Sequence, residues 1–295
     1  MDVDLGKGTF LQRLSPELQE KILTLSSRPP LPTWPEECRG IPNICLRSAL
    51  FGVIQRGRRE AVKRQSIAAI NGLNISYTGW RLDQGDFDVL AHSLHLASRQ
   101  ATGTSVQFSA KGFLRGIGRS HGKSGREWLK DSLRRLTASA VEIQLKMPVT
   151  YGPELFSYTG SLLEEFFYTE ENQSYLLKFN GQLATLFDAG WTQVQWQQRL
   201  HLKTGLAKWL HGFYASHRTP YPMKVATLQE LCGSHCGRLS DYRGKLRSAL
   251  VELVEVETLT SWCIDHEDKV LVDKQHSTSF RQPTIGQQNV KKGGA

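Results

Sequence analysis

An internal repeat limits what this chain can fold into more than any other feature of its sequence. Residues 106–143 align with residues 220–257 at a single offset of 114 positions. The matched positions are Leu114 and Leu228, Ile117 and Leu231, Ser120–His121 and Ser234–His235, Trp128 and Tyr242, and Leu136 and Leu250. Each copy has the pattern of a short helix, a glycine-containing turn, a longer amphipathic helix and a β-prone segment. The repeat therefore predicts two helix-turn-helix units, each followed by strands.

The two copies also carry the excess positive charge of the chain. Its 295 residues have a formal net charge of +9. Residues 102–147 contain nine Lys and Arg against three acids, and residues 201–248 contain eight against two. The rest of the chain is therefore slightly acidic. Two basic units on such a body indicate binding to a polyanion, and a solvated basic surface without a partner is the alternative.

The sequence pattern predicts an α+β fold, a tandem winged helix with a flexible N-terminal arm. Residues 1–50 are expected to form this arm, with a short helix over 16–25 and an extended proline-rich linker. Residues 51–190 are expected to form a first winged-helix domain that contacts DNA, and residues 191–275 a second domain for sequence-specific DNA binding. Residues 276–295 have no periodicity and predict a disordered tail.

Local patterns place the remaining elements. Alternation around Gly72 predicts a hairpin, and the apolar spacing from Asp86 to Ser98 predicts a core helix. Further helices are predicted near 181–187 and over 203–216. Two more hairpins, 162–168 with 174–179 and 259–264 with 269–272, are predicted as the wings of the two domains.

The longer helix of the second copy is a candidate for reading DNA. Over Ser240 to Leu253 its buried face is expected to comprise Tyr242, Leu246, Ala249, Leu250 and Leu253. The basic residues Arg243, Lys245 and Arg247 project elsewhere, and Arg238 precedes the helix. Arginine there can bond guanine O6 and N7 in the major groove. Gly244 would allow close approach to the duplex; the alternative is a helix defect costing about 1 kcal/mol.

The longer helix of the first copy has a similar pattern. It is expected to run from an N-cap at Ser124 to Ala138, burying Trp128, Leu129, Leu133 and Leu136. Four basic residues would then be free for DNA: Arg126, Lys130, Arg134 and Arg135.

No pattern predicts an enzyme, a cofactor or a metal site. In the glycine-rich segment 116–124, Gly116 and Gly122 enclose five residues, where a phosphate-binding loop has four, and the segment follows a helix instead of a strand. Cys232, His235 and Cys236 lack a second ligand pair at zinc-finger spacing. No set of nucleophile, base and orienting residue stands out.

Composition predicts a cytoplasmic protein without a membrane partner. No apolar run approaches the roughly 18 residues of a membrane helix, and the acidic start MDVDLGKGTF is not a secretory signal. Five cysteines, an odd number, favour free thiols in a reducing cytosol.

Several segments resemble one known family. Residues 211–234 (HGFYASHRTPYPMKVATLQELCGS), with the helix RGKLRSALVEL that follows, resemble the C-terminal module of the TrfA-type plasmid replication initiators. Residues 46–53 (LRSALFGV) and 75–90 (ISYTGWRLDQGDFDVL) resemble the start of that family's first module. The similarity covers roughly residues 33–272, and its most distinctive string is Ser-His-Arg-Thr-Pro-Tyr-Pro at 216–222.

The resemblance implies a bacterial, plasmid-associated initiator. Such proteins bind direct repeats (iterons) in double-stranded DNA, open adjacent AT-rich DNA, and help host DnaA and the replicative helicase to load. They form dimers through the first module, and the monomer is active at iterons. Carried over, Arg238, Arg243, Lys245 and Arg247 would contact DNA, and Arg126, Lys130 and Arg134 would contact DNA or lie on the dimer surface. The family's clamp-binding Gln-Leu-Ser-Leu-Phe element is absent from residues 1–50, so the resemblance carries no expectation of clamp binding.

Two other functions remain open from sequence. A winged-helix transcriptional repressor uses the same modules, and fold alone does not separate it from an initiator. A DNA-processing enzyme such as a relaxase or nuclease is disfavoured because no metal-ligand cluster is found.

Overall fold

A computed structural model of the chain describes residues 31–274 except 56, 71, 100–104 and 150–151, and leaves aside the side chains of 145–156. The elements of its first part are β1 (Cys38–Pro42), α1 (Asn43–Leu46), β2 (Phe51–Gly52), β3 (Ala61–Ile67), β4 (Leu73–Trp80), β5 (Leu82–Asp83), α2 (Gln84–Ser98), β6 (Ser105–Ser109), α3 (Ala110–Gly116), α4 (Lys123–Thr137), β7 (Ala140–Val149), β8 (Gly152–Gly160), β9 (Leu163–Thr169), β10 (Ser174–Phe179), α5 (Thr185–Asp188) and β11 (Trp191–Gln195). The remaining elements are α6 (Trp196–His201), α7 (Gly205–Ala215), β12 (Met223–Lys224), α8 (Val225–Leu231), α9 (Leu239–Glu255), β13 (Leu259–Ile264) and β14 (Lys269–Lys274).

The sequence repeat corresponds to a repeated structure. The pair α3 and α4 matches the pair α8 and α9, because in each a short helix is followed by a longer one. One three-stranded sheet has the order β6-β10-β9 and the other has the order β12-β14-β13. In each, the strand before the short helix pairs antiparallel with the second strand of the following hairpin. Both hairpins expected after the longer helices are present.

The first copy contains an insertion between its longer helix and its hairpin. Strands β7 and β8 pair there, and β7 joins β4 to complete a four-stranded sheet of order β3-β4-β7-β8. The sequence pattern showed β7 only as a β-prone run and missed β8. The hairpin expected around Gly72 is confirmed, and Gly72 has the positive φ of +85° that glycine accepts readily.

Residues 31–50 are folded, so the expectation that they belong to an arm is wrong for this part. All five residues of β1 are buried, and β1 pairs antiparallel with β11. The buried indole of Trp34 donates to His95 Nδ1 at 2.9 Å and stacks on Phe187. A Cβ on Gly40 would lie 2.3 Å from the Trp34 ring, so glycine is needed for this packing. The expected helix over 16–25 and tail over 276–295 lie outside the described residues.

Two hydrophobic cores divide the described chain. One core is built from residues between Leu31 and Trp196, and residues 31–196 are called the first module. The other core is built from residues between Leu202 and Val270, and residues 202–274 are called the second module. Helix α6 connects them, and its Arg199 side chain is fully buried. Arg199 Nε donates to Asp88 Oδ1 at 2.6 Å, and Lys208 Nζ donates to the other Asp88 oxygen at 2.6 Å. A buried ion-pair network therefore joins the modules.

Candidate DNA-binding surface

Helix α9 presents one apolar face to its module and one basic face to solvent. Tyr242, Leu246, Ala249, Leu250 and Leu253 are buried, as expected from their spacing. These residues pack the helix against α7. The basic positions Arg238, Lys245 and Arg247 are exposed on the other side. Packing of the apolar face thus orients the three cations outward.

Arg238, Lys245 and Arg247 form no ion pairs within the described part of the chain, although Asp268 attracts Arg247 from beyond ion-pairing distance. Neither Arg238 nor Arg247 forms an ion pair there, and Lys245 Nζ lies 3.7 Å from the Cys236 thiol. The N-cap Arg238 provides no side-chain hydrogen bond to the first turn of the helix. The Arg238 guanidinium, beside uncapped backbone N–H groups at the start of α9, suits phosphate and base-edge acceptors.

Arg243 differs from its neighbours because the β13–β14 turn holds it. Its Nε and Nη2 donate to the two oxygens of Asp268 at 2.9 and 2.8 Å. This bidentate bond lowers the pKa of the Asp268 carboxyl. The expectation that Arg243 projects freely is therefore not met, and its guanidinium can bond another acceptor only by sharing or leaving Asp268.

Gly244 lies on the exposed side of α9 and has no structural need to be glycine. A Cβ built there would meet no atom within 4 Å. Gly125 in α4 contrasts with it, because a Cβ there would lie 1.9 Å from the Ser120 carbonyl oxygen. The fold thus requires Gly125 but not Gly244, which favours a role for Gly244 outside the fold.

Replacing Gly244 with alanine is expected to raise stability and weaken DNA binding together. Alanine should stabilise the helix by roughly 0.5–1 kcal/mol. The added methyl group would hold the helix backbone away from a duplex. Denaturant unfolding and fluorescence anisotropy with origin DNA measure the two effects. Gly205→Ala is the control, since a Cβ there also meets nothing within 4 Å and the site lies on another helix. Unchanged DNA affinity in Gly244→Ala would argue against close approach of α9.

Helix α4 of the first module has the expected buried face but a different start. Leu129, Leu133 and Leu136 are fully buried, and Trp128 is half-buried beneath the Arg119 guanidinium at 3.5 Å. The helix begins at Lys123 with Gly122 as N-cap, so the assignment of Ser124 as N-cap is wrong.

Arg135 belongs to the core of the first module, which corrects the expectation that it is free for DNA. Its Nη2 donates to Asp86 Oδ1 at 2.7 Å, and the Asp86 side chain has no exposure. Asp86 also accepts from Arg59 and from Ser132. Burial alone would raise the pKa of Asp86, but the bonds from Arg135 and Arg59 outweigh it and the pKa is lowered. Arg135 therefore neutralises a buried carboxylate at the start of α2.

Lys130 is also engaged within the module. Its ammonium lies 3.3 Å from Glu127, 3.7 Å from Glu170 in the β9–β10 turn, and 4.5 Å from the centre of the Tyr168 ring. It is buried and not free, contrary to expectation. Arg134 is exposed and pairs with Asp131 at 2.8 Å, and half-buried Arg126 donates to the His121 carbonyl. Of the four cations predicted on α4, only Arg126 and Arg134 remain on the surface.

Sequence reasoning missed two arginines of the first module that lie beside the turn between α8 and α9. Arg58 and Arg81 line a cleft there together with His235 and Lys245. The signal available in the sequence was the segment 55–60 (QRGRRE), with three arginines in four residues. Nothing local in the sequence placed it next to the second module.

The described residues contain no helix long and apolar enough to cross a bilayer. Within the same residues, no group of three or more His, Cys, Asp and Glu side chains is arranged to hold a metal ion.

Comparison with known proteins identifies the family. The sequence model of the TrfA protein family matches residues 8–272. The chain belongs to the TrfA family. This TrfA-family chain is 27% identical over 256 residues to the plasmid replication initiator protein TrfA of Escherichia coli, covering 84% of this chain and 64% of that protein. It thus spans somewhat less than two thirds of the relative's length.

Solved structures show a fold shared with domains 2 and 3 of the protein RctB. A crystal structure of domains 2 and 3 of RctB matches with a TM-score of 0.53 at 13% identity, covering 78% of this chain and 96% of that chain. A second crystal structure of these domains gives a TM-score of 0.51 at 12% identity, covering 74% and 92%. The mixed α+β architecture predicted from sequence agrees with these matches.

Proposed function

We propose that this chain is a plasmid replication initiator that binds direct repeats in double-stranded origin DNA. The observation that carries this proposal is the exposed basic face of α9, on which Arg238, Lys245 and Arg247 form no ion pair within the described residues. Membership of the TrfA family supports the choice of initiator among DNA-binding proteins.

Each module acts as a winged helix in this proposal. The short and long helices form the helix-turn-helix, and the hairpin that follows forms the wing. The repeated sheet orders β6-β10-β9 and β12-β14-β13 support this assignment. The second module is the main source of sequence specificity, because most cations of α4 are already paired within the first module.

Binding proceeds through the basic face of α9 in the major groove. Arg247 and Arg238 bond base edges or flanking phosphates, and Lys245 contacts a phosphate as a point charge. Asp268 holds the Arg243 guanidinium in one orientation beside the groove. Each phosphate contact releases counterions, so affinity falls steeply with salt.

The downstream steps follow from the initiator role. The bound protein opens adjacent AT-rich DNA and recruits host DnaA and the replicative helicase in the bacterial cytoplasm. It works by binding energy and DNA deformation without catalysing a reaction. A homodimer joined through the first module is the storage form, and the monomer acts at the repeats.

Footprinting on a supercoiled plasmid that carries the protein's own replicon tests this function. The expected result is regularly spaced protection of direct repeats, with single-strand reactivity appearing in neighbouring AT-rich DNA. Protection confined to an inverted repeat over a promoter, without strand opening, would indicate a transcriptional repressor instead. A parallel nicking assay with added divalent metal would reveal a DNA-processing enzyme.

A further inference from the structure

A cleft of about 170 Å³ lies where the first module meets the helix-turn-helix of the second. The first module contributes Arg58 and Arg81, and the second contributes His235 from the turn and Lys245 from α9. Among the described residues, no acidic side chain lines this cleft. It is smaller than the roughly 300–1,000 Å³ pockets that enclose drug-sized molecules. Its size and charge suit a small anionic group.

Arg81 stands out in the cleft, because it is a buried cation that forms no ion pair among the described residues. The residue is 6% exposed, and within the described residues no carboxylate lies within ion-pairing distance of its guanidinium. Its Nη1 lies 2.6 Å from His235 Nε2, and exposed Glu60 attracts it without forming an ion pair. Burial lowers the pKa of Arg81. A buried unpaired charge is costly, which points to an anion absent from the free protein.

The backbone around Arg81 is shaped to admit its side chain. A Cβ on Gly233 would lie 2.6 Å from Arg81 Nη2, and one on Gly52 would lie 3.0 Å from the same atom. Gly233 also has a φ of +64°, so both the close approach of Arg81 and the backbone conformation favour glycine there. The two glycines, one from each module, leave the space that the Arg81 guanidinium occupies beside the turn between α8 and α9.

The cleft continues directly into the surface proposed to bind DNA. Lys245 lines the cleft and also lies on the exposed face of α9. Arg58 is exposed at the opposite wall and forms no ion pair within the described residues. A duplex with α9 in its major groove would bring the phosphates that border that groove close to this cleft.

We propose that this cleft binds one backbone phosphate of the DNA and so ties both modules to the same duplex. The proposal rests on the proposed function, because α9 must lie on DNA. Buried Arg81 contacts the phosphate from within the cleft beside His235, and exposed Arg58 and Lys245 contact it from the two modules. Such a contact sets register and orientation and carries no sequence information of its own. It adds first-module residues to a surface otherwise built from the second.

Arg58→Ala is the test variant, because Arg58 is exposed and its loss should leave the fold intact. The control is Lys63→Ala, which removes the same charge from an exposed position in the same segment outside the cleft. Affinity for origin DNA and for random DNA is measured over a range of salt concentrations. Arg58→Ala should weaken both by the same factor and reduce the slope of log affinity against log salt by about one, more than Lys63→Ala does. Ethylation interference should identify one phosphate per repeat whose ethylation weakens binding of the wild type but not of the variant.

The outcomes separate this inference from the function on which it rests. Wild-type protein that fails to bind its origin DNA would overturn the proposed function. If the wild type binds normally and Arg58→Ala keeps the wild-type salt slope and interference pattern, the proposed phosphate site is wrong, while the proposed function stands. Inorganic phosphate serves as a second probe in thermal melts without DNA. Phosphate stabilisation lost in Arg58→Ala, together with unchanged DNA binding, would assign the cleft to a free anion and contradict the proposal.

Discussion

Replacing Arg247 with alanine is expected to weaken binding of the origin repeats by about 1–3 kcal/mol, or roughly 5- to 150-fold. The guanidinium is exposed on α9 and makes no ion pair within the described residues. Its removal should therefore change the free energy of unfolding by less than about 0.5 kcal/mol. Fluorescence anisotropy with labelled origin DNA measures the affinity, and denaturant unfolding measures the stability.

Two further variants make the Arg247 result specific. Arg218→Ala removes an exposed arginine of the same module that lies outside α9, and its affinity should stay close to that of the wild type. Arg243→Ala should also weaken binding, with only a small stability loss because its pair with Asp268 is partly exposed. Unchanged affinity in both Arg243→Ala and Arg247→Ala would contradict the assignment of α9 to the groove.

Replacing Asp88 with alanine is expected to destabilise the protein by about 3–5 kcal/mol. Its carboxylate is almost fully buried and accepts from both Arg199 and Lys208 at 2.6 Å. Without it, the fully buried Arg199 guanidinium would lose its counterion between the two modules. Because Asp88 lies in the first module and Lys208 in the second, the loss should also weaken the connection between them.

Denaturant unfolding of Asp88→Ala and Asp131→Ala tests this expectation. Asp131 pairs with Arg134 on the exposed side of α4, so its loss should cost no more than about 1 kcal/mol. Similar destabilisation in the two variants would show that the buried network does not hold the modules together.

The elements that sequence analysis found are those with a local signal. Apolar spacing along α9 and α2 repeats at the helical period, and the wing hairpins alternate between turn residues. The pairing of β1 with β11 joins residues far apart in sequence, so no local pattern revealed it. The proline-rich segment before β1 therefore predicted a linker, although Trp34 anchors it in the core.

In the candidate site, too, sequence analysis predicted what depends on one helix and missed what depends on contacts between elements. The outward direction of Arg238, Lys245 and Arg247 followed from the buried face of their own helix. The engagement of Arg135 and Lys130 depends on Asp86 and Glu170, which are supplied by other elements. The contact between Arg81 and His235 spans 154 positions, and a single sequence does not show it.

Dimethyl sulfate protection on the origin repeats tests most directly whether α9 lies in the major groove. This reagent methylates guanine N7 in the major groove and adenine N3 in the minor groove, so it separates the two docking modes. We predict protection of guanine N7 in every repeat by the wild type, with at least one guanine per repeat losing protection in Arg247→Ala. Protection confined to adenine N3, or guanine protection unchanged in Arg247→Ala, would contradict the account.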